Sequence, residues 1–454
     1  MSIRFSIFTP TNNPMFLMDC FHSLQAQSFD SWEWVIVLNG GITPEDIPTL
    51  IRESKKVKIT ETQSENIGAL KKFAVSKCIG EYVVELDHDD ILSPDALELL
   101  NSHSRNGVEH ADFMYSKWVE FRDDRTLHEN ECFNAYGEYY GWRHERVSLP
   151  WLARYGFPEN AVVNIPHELS PSSLASIHYA PNHIRVWRRE FYNGIGGHDE
   201  TMQVCDDYDL VVRTYLNGGK MWFVDEVLYA YRLRSDKSNS YIIHNRKIQE
   251  KQAELSEKYF FAICEHWAKD NGYPMLDMGG AHNNHNGWLP VDINLHPSET
   301  GFKIDVMKSG LPFPDNSVGC IRAYDFLEHI KSCKDSSCKH GHGIESTECV
   351  VGLMNEFYRV LVPGGILLTS TPSTDGRGAW QDPSHSSFWN SNSFWYYTDV
   401  NYSKYIRNEE GCRFQTLSIS NDFPTNFHKL HNIVYCTANL VALKGQYQPG
   451  VTKI

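Results

Sequence analysis

Asp87-His88-Asp89-Asp90 places three carboxylates within four residues, directly after the apolar run Tyr82–Leu86. Acidic groups crowded at the end of a buried strand repel one another unless a cation sits among them. Hard divalent ions prefer oxygen ligands, so Mn²⁺ or Mg²⁺ carrying a diphosphate fits this pattern. The competing assignment is a set of N-cap acceptors for a helix opening near Ser93-Pro94. A second acidic pair, Asp206-Asp207, offers one carboxylate to take a proton and a like-charged neighbour that raises its affinity for one. The same two residues suit the first turn of a helix, where the dipole favours acids, and both roles can hold together. In the second half, Asp277-Met278-Gly279-Gly280 ends a short apolar strand with glycines that let backbone approach a ligand closely. Asp292 ends the next strand and suits ribose hydroxyls. Cys333, Cys338, His340, His342 and Cys349 offer the thiolate and imidazole ligands that suit Zn²⁺. Their C-x4-C-x-H-x-H spacing matches neither a ribbon nor a finger, and a solvated loop is the alternative.

The elements that must hold these residues alternate. Strands are expected at Ile3–Thr9, Trp34–Leu38, Val57–Thr60 and Tyr82–Leu86, and helices at Met15–Gln27 and Ile67–Cys78. Asn39-Gly40-Gly41 is a turn signal. Alternation of this kind implies a mostly parallel sheet with helices on both faces, and ligands then bind beyond the carboxyl ends of the strands. The chain has 454 residues, too many for one ordinary core. We expect a domain over 1–243, a helical linker over 244–271 and a second domain over 272–454. The segment from about 110 to 185 is read as an insert facing an acceptor, with Tyr136, Tyr139, Tyr140, Trp142 and Trp151 beside His167, His178 and His183.

Net charge is −15, which disfavours a nucleic-acid partner, because such proteins present a basic face. No apolar run approaches the roughly 20 residues of a membrane span, which leaves only peripheral membrane contact open. The N-terminus enters a strand pattern without a signal-peptide layout. A cytoplasmic location is expected. The 11 cysteines are an odd, scattered set, which argues against a complete disulfide framework. Nothing in the composition fixes an oligomeric state.

Taken in order, Phe8-Thr9-Pro10-Thr11, Leu24-Gln25-Ala26-Gln27-Ser28, Trp34–Gly40, Glu65-Asn66-Ile67-Gly68, Leu86–Asp90, Gly196-Gly197-His198-Asp199-Glu200 and Asp206-Asp207-Tyr208-Asp209-Leu210 resemble the family 2 glycosyltransferases of GT-A fold. The resemblance covers about the first 240 residues. It implies an inverting transferase that takes a sugar from a nucleotide-diphospho-sugar donor to a glycan or saccharide acceptor. Carried over by position, Thr9, Pro10, Thr11, Asn39 and Asn66 would line the donor pocket. Asp87 would sit near the donor ribose, Asp89 with Asp87 at the metal, and Lys72 near the phosphates. Asp207 would be the catalytic base, with Asp206 beside it. Two positions depart from the family: Asn39 stands where Asp is commoner, and Arg234 where His is common. Arg234 suits phosphate oxygens; a solvated loop charge is its other reading.

Met275–Gly280, Trp288–Ile293, Ile304-Asp305-Val306, Leu311–Ser317, Tyr324–Ile330 and Tyr358–Gly365 resemble the class I S-adenosylmethionine-dependent methyltransferases, over about residues 272–445. That resemblance implies a Rossmann-like sheet flanked by helices. Asp277, Gly279 and Gly280 would hold the methionine end of S-adenosylmethionine, Asp292 its ribose and Asp305 its adenine side. Ala281-His282 stands where a further glycine is usual. Gln381–His385, Phe388-Trp389 and Phe394–Tyr397 are the acceptor candidates, with His385 as a candidate base or a packed histidine. The expected fold class is therefore two α/β domains. The expected function is sugar transfer together with sugar methylation. Two rivals stand beside it: an active transferase whose second domain only binds acceptor or partner, and a non-enzymatic glycan-binding protein.

Overall fold

The computed structural model of the chain describes residues 3–106, 109–128, 143–176, 183–282, 285–296, 300–333, 349–406 and 413–445. It divides into two compact units. Among the described residues, the first comprises those of 3–169 and 183–259, and the second 170–176 and those of 260–445. The division falls inside the helix Asn245–Asp270.

The first unit is built on a ten-stranded sheet. Its strands run in the order Val57–Glu61, Trp32–Leu38, Phe5–Thr11, Tyr82–Glu85, Arg185–Arg188, Phe113–Arg122, Asn160–Ile165, Arg143–Ser148. The first four are parallel. Trp32–Leu38 and Tyr82–Glu85 are buried at every residue, as expected of central parallel strands covered on both faces. Arg185–Arg188 then joins antiparallel, in a register that sets Arg185 directly opposite Glu85. Met221–Leu233 pairs in parallel with Phe113–Arg122 and antiparallel with Ile91–Leu92.

The first strand continues through Pro10 to Thr11 rather than stopping before the proline. Its neighbour Tyr82–Glu85 ends level with Phe8, so Pro10 forfeits no ladder bond on that side. Asn66 caps the helix Ile67–Ser76 by accepting from the Gly68 amide at 3.2 Å. Gly68 lies so close to the Gly197–Glu200 segment that a Cβ on it would meet the Asp199 carbonyl oxygen at 2.0 Å. Only glycine lets this helix start dock there.

The second unit is built on a seven-stranded sheet in the order Phe302–Lys303, Leu289–Asp292, Met275–Met278, Val318–Tyr324, Leu361–Pro372, Tyr435–Ala442, Phe414–Asp422. The first five are parallel, and Tyr435–Ala442 runs antiparallel to both its neighbours. Strand order reverses between Met275–Met278 and Val318–Tyr324. In open parallel sheets, a reversal of this kind is where ligands generally bind, beyond the strand ends. Helix Val350–Val360 packs Leu353, Met354 and Phe357 into the core of this unit. Among the described residues, no helix is long and apolar enough to cross a membrane.

Candidate active site

Glu85 ends an apolar strand and is buried, as are Lys71 and Arg185. A buried charge is tolerated only when paired and hydrogen-bonded, and here the partners are complete. Arg185 donates to both Glu85 oxygens, from Nε and Nη2, at 3.0 Å each. Lys71 Nζ, from the helix Ile67–Ser76, reaches Glu85 at 2.8 Å and Asp206 at 2.9 Å. Arg185 Nη1 reaches Asp207 Oδ2 at 2.9 Å. Two cations thus tie the end of a central strand to the two aspartates that open the helix Asp206–Leu216.

The aspartates differ in environment. Burial pushes the Asp206 carboxyl up to about 6, with Lys71 opposing and Asp207 adding to the rise. Burial also acts on Asp207, but Arg185 and Lys71 outweigh it and hold that carboxyl below its ordinary value. Asp207 has 36% of its side chain exposed, against 6% for Asp206, so Asp207 is the accessible, ionised member. Beside them His198 is fully buried, with Nδ1 2.8 Å from the Tyr192 hydroxyl and Nε2 3.6 Å from Asp206. Burial and Lys71 push it down to about 3, so it is neutral.

The acidic turn splits into separate roles. Asp90 is buried, accepting from the Tyr229 hydroxyl at 2.6 Å and the Arg232 amide at 2.7 Å. It closes the turn and is not free for a ligand. Asp89 keeps a 3.2 Å ion pair with Arg234 Nε. Asp87 is half-buried, and among the described residues its carboxylate has no hydrogen bond or ion pair. Burial, then Glu85 and Asp89, push its carboxyl up, against Lys71 and Arg185. A carboxylate in this state fits a cation, and Asp87 and Asp89 would offer the hard oxygens that Mn²⁺ or Mg²⁺ prefers.

The other expected donor residues are placed as follows. Thr9 is buried, donating to the Leu86 carbonyl at 2.7 Å and accepting from Trp34 Nε1 at 2.8 Å, so its hydroxyl holds the sheet together. The Thr11 hydroxyl is used in a turn with Asn13, and Pro10 stays half-buried. Asn39 is buried beside the end of the first strand, its amide bonded to Thr11. Asn66 serves as the helix cap described above. Lys72 points away from the cluster and pairs with Glu200 at 3.3 Å on the surface. Its neighbour Lys71 takes the interior place expected of it. Glu85, Lys71, Arg185, His198 and Arg232 were not singled out from sequence. The signal available was a charged residue inside an apolar strand, as in Val83-Val84-Glu85-Leu86 and Arg185-Val186-Trp187.

In the second unit the expected cofactor acids are occupied by the protein itself. Asp277 is buried and gripped along both oxygens by Arg322, with Nε at 2.9 Å. Gly279 takes φ +76°, and a Cβ on Gly280 would lie 2.7 Å from Asp277 Oδ2, so the glycine loop folds onto that carboxylate. Asp292 accepts from the Ala281 and Asn294 amides at 3.2 and 2.7 Å. Asp305 caps a short helix through the Met307 amide at 3.1 Å and pairs with Lys308. His385 Nδ1 is 3.0 Å from the Ala379 carbonyl. Of the expected zinc set, Cys333 is half-buried and Cys349 is buried before the helix Val350–Val360. Cys338, His340 and His342 lie outside the described residues, as do Tyr136, Tyr139, Tyr140, Trp142 and His178. His183 stacks on Tyr229 and Tyr231 at 4.5 and 5.2 Å between ring centroids, which makes it a packed residue.

Residues 6–164 match the sequence profile described as Glycosyl transferase family 2. A protein of Escherichia coli named as colanic acid biosynthesis glycosyl transferase WcaA is 23% identical over 267 residues, which is 56% of this chain and 84% of that protein. A glycosyltransferase of Haemophilus influenzae is 34% identical over 89 residues, 19% of this chain and 33% of its own. Among solved structures, Staphylococcus aureus TarS 1-349 in complex with UDP-GlcNAc aligns with TM-score 0.38 at 16% identity, over 62% of this chain and 76% of that one. The mannosyltransferase PcManGT of Pyrobaculum calidifontis, in complex with GDP-Man and Mn2+, aligns with TM-score 0.38 at 12% identity, over 63% and 77%. The likeness to family 2 glycosyltransferases thus spans residues 6–164, from the first strand into Asn160–Ile165, and ends before the helix Asn245–Asp270 begins.

Proposed function

We propose that the first unit transfers a sugar from a nucleotide-diphospho-sugar to a hydroxyl of a saccharide acceptor, with inversion. The observation that carries this reading is the Arg185 bridge, which holds Asp207 ionised and accessible beside the Asp87–Asp90 turn. Asp207 is the base: it takes the acceptor hydroxyl proton as the oxygen attacks. Arg185 and Lys71 orient the two aspartates, and buried Asp206 sets the field around them. Asp87 and Asp89 would hold Mn²⁺ or Mg²⁺, with Arg234 as a further cation facing phosphate. A bound ion there would neutralise charge on the departing diphosphate. The E. coli relative is named for colanic acid biosynthesis, which supports a biosynthetic sugar transfer here. Donor hydrolysis and transfer with Mn²⁺, measured in wild type and in Asp89→Ala, tests the reading. Activity is expected to need both metal and Asp89; equal activity in the variant would overturn it, and no activity with any nucleotide sugar would favour a glycan-binding protein.

For the second unit a specific observation favours binding over methyl transfer. Asp277 is already neutralised by Arg322, and Asp292 and Asp305 already accept from backbone amides. We therefore read it as a methyltransferase-like domain that binds acceptor or partner. Calorimetry with S-adenosylmethionine is expected to give no heat of binding; a saturable isotherm would restore the methylation reading. Cys20, Cys78, Cys205, Cys264, Cys320, Cys349 and Cys436 form no disulfide.

A further inference from the structure

Beyond the parallel strands of the second unit, two loops bring a carboxylate and two imidazoles together. Glu328 and His329 lie in the short turn Leu327–His329, which follows the strand Val318–Tyr324. His385 lies in the loop after Gly378–Gln381. One ligand atom from each of the three falls within 4.8 Å of the others. We propose that Glu328, His329 and His385 form a binding site for a first-row divalent transition ion of the zinc type, separate from the acidic turn of the first unit.

Two histidines and one carboxylate are the donor set of catalytic zinc sites and of open facial sites for related ions. The surroundings preset each donor. Ser384 Oγ has one hydrogen and directs it to Asp382 Oδ1 at 2.6 Å, so at 3.1 Å from His329 Nδ1 it accepts the ring N–H. His385 Nδ1 lies 3.0 Å from the Ala379 carbonyl, which can only accept. Both rings therefore carry Nδ1–H and leave the Nε2 lone pair to face a ligand, as metal-bound histidines do when an outer partner fixes the tautomer; Nε2 of His385 lies 4.0 Å from Asp382 Oδ2. Glu328 Oε2 is oriented by the Thr371 hydroxyl at 2.8 Å, from the neighbouring strand. The Glu328 carbonyl accepts from Ser386 and Ser387 at 2.6 and 3.0 Å, which locks the two loops together.

Glu328 is buried, His385 half-buried and His329 exposed, so the site is anchored on one side and open on the other. Ligands adjacent in a coordination sphere stand about 3 Å apart. The three donors, within 4.8 Å of one another as they stand, must draw closer to share one ion. The exposed His329 leaves that side of the site open to solvent, and in the same stretch of chain as His385 the exposed Trp380 and Phe388 rings stack with centroids 4.7 Å apart. That leaves coordination positions for water or for an oxygen of a bound molecule.

The test uses the full chain, freed of metal with a chelator and titrated with Co²⁺ alone. Ligand-field absorption and calorimetry are followed in wild type, Asp89→Ala, His329→Ala, His385→Gln and Thr371→Val. A nitrogen-ligated cobalt spectrum is expected in wild type and in Asp89→Ala. His329→Ala and His385→Gln should weaken its affinity at least about tenfold, and Thr371→Val about tenfold through the outer partner. His329 is exposed, so that variant is expected to keep the metal-free melting temperature. Cobalt affinity unchanged in a folded His329→Ala, or a spectrum lost only in Asp89→Ala, would overturn the site.

Discussion

Arg185 holds Asp207 at 2.9 Å with one edge of its guanidinium and Glu85 at 3.0 Å with the other. The strand register fixes the Glu85 contact, because the two residues are directly paired. The Asp207 contact then keeps that carboxylate ionised against the pull of burial. Removing the guanidinium must raise the proton affinity of Asp207. The acid limb of kcat/KM should therefore move to higher pH in Arg185→Gln. The double variant Glu85→Gln/Arg185→Gln avoids leaving a buried charge unpaired and should move the limb the same way but less far, because Glu85 itself raises Asp207. An acid limb that stays in place in both variants would remove Asp207 from the role of base.

Lys71 and Lys72 are adjacent in sequence and opposite in consequence. Lys71→Met strips a cation from buried Glu85 and Asp206, and loss of one partner of a buried pair costs about 3–5 kcal/mol. Lys72→Met removes a surface pair with Glu200, which changes stability by no more than about 0.5 kcal/mol. Urea unfolding of the two variants checks the contrast; equal midpoints would contradict it.

Arg322 and Asp277 form a buried pair in the second unit, with 5% and 6% of their side chains exposed. Asp277→Leu alone and Arg322→Met alone should each lose about 3–5 kcal/mol, and the double variant should recover most of that. Melting temperatures of the four proteins give the cycle. If Asp277→Leu were neutral, that carboxylate would be free for a ligand and the binding-only reading of this unit would fail.

Burial, aided by Arg185, drives the His183 imidazole well below its ordinary value. The unfolded histidine takes a proton near pH 6.5 and the native one does not. Unfolding therefore binds a proton below that pH, and this contribution to stability falls as pH is lowered. His198, pushed down to about 3, acts in the same direction, while Asp206, pushed up to about 6, acts in the opposite one. His183→Phe isolates the first effect: its melting temperature should drop less than that of wild type between pH 7 and pH 5. A parallel drop in both proteins would show that His183 does not stay neutral.

The parallel half of the first sheet was legible because Trp32–Leu38 and Tyr82–Glu85 are apolar but for one glutamate each, a pattern set by burial on both faces. The acidic turn and the Asp206-Asp207 pair were legible as clusters of one charge. Their division of labour was not, since it depends on which cation each carboxylate meets. Asp90 is closed off by Tyr229 and Arg232, both more than a hundred residues away in the chain. Arg185 likewise reaches Glu85 only through an antiparallel register that local periodicity does not encode. In the second unit the glycine strand end was read correctly in position. What it lacked was Arg322, whose place opposite Asp277 comes from the pairing of two parallel strands.

The most direct test of the central claim is a melting-temperature screen of nucleotide-diphospho-sugars against the full chain, with and without Mn²⁺. A ligand that binds only the native state stabilises it by mass action. The account predicts that one donor raises the melting temperature when Mn²⁺ is present, and that Asp87→Asn and Asp89→Ala abolish the rise. A donor that stabilises the protein equally without metal, or in both variants, would contradict it.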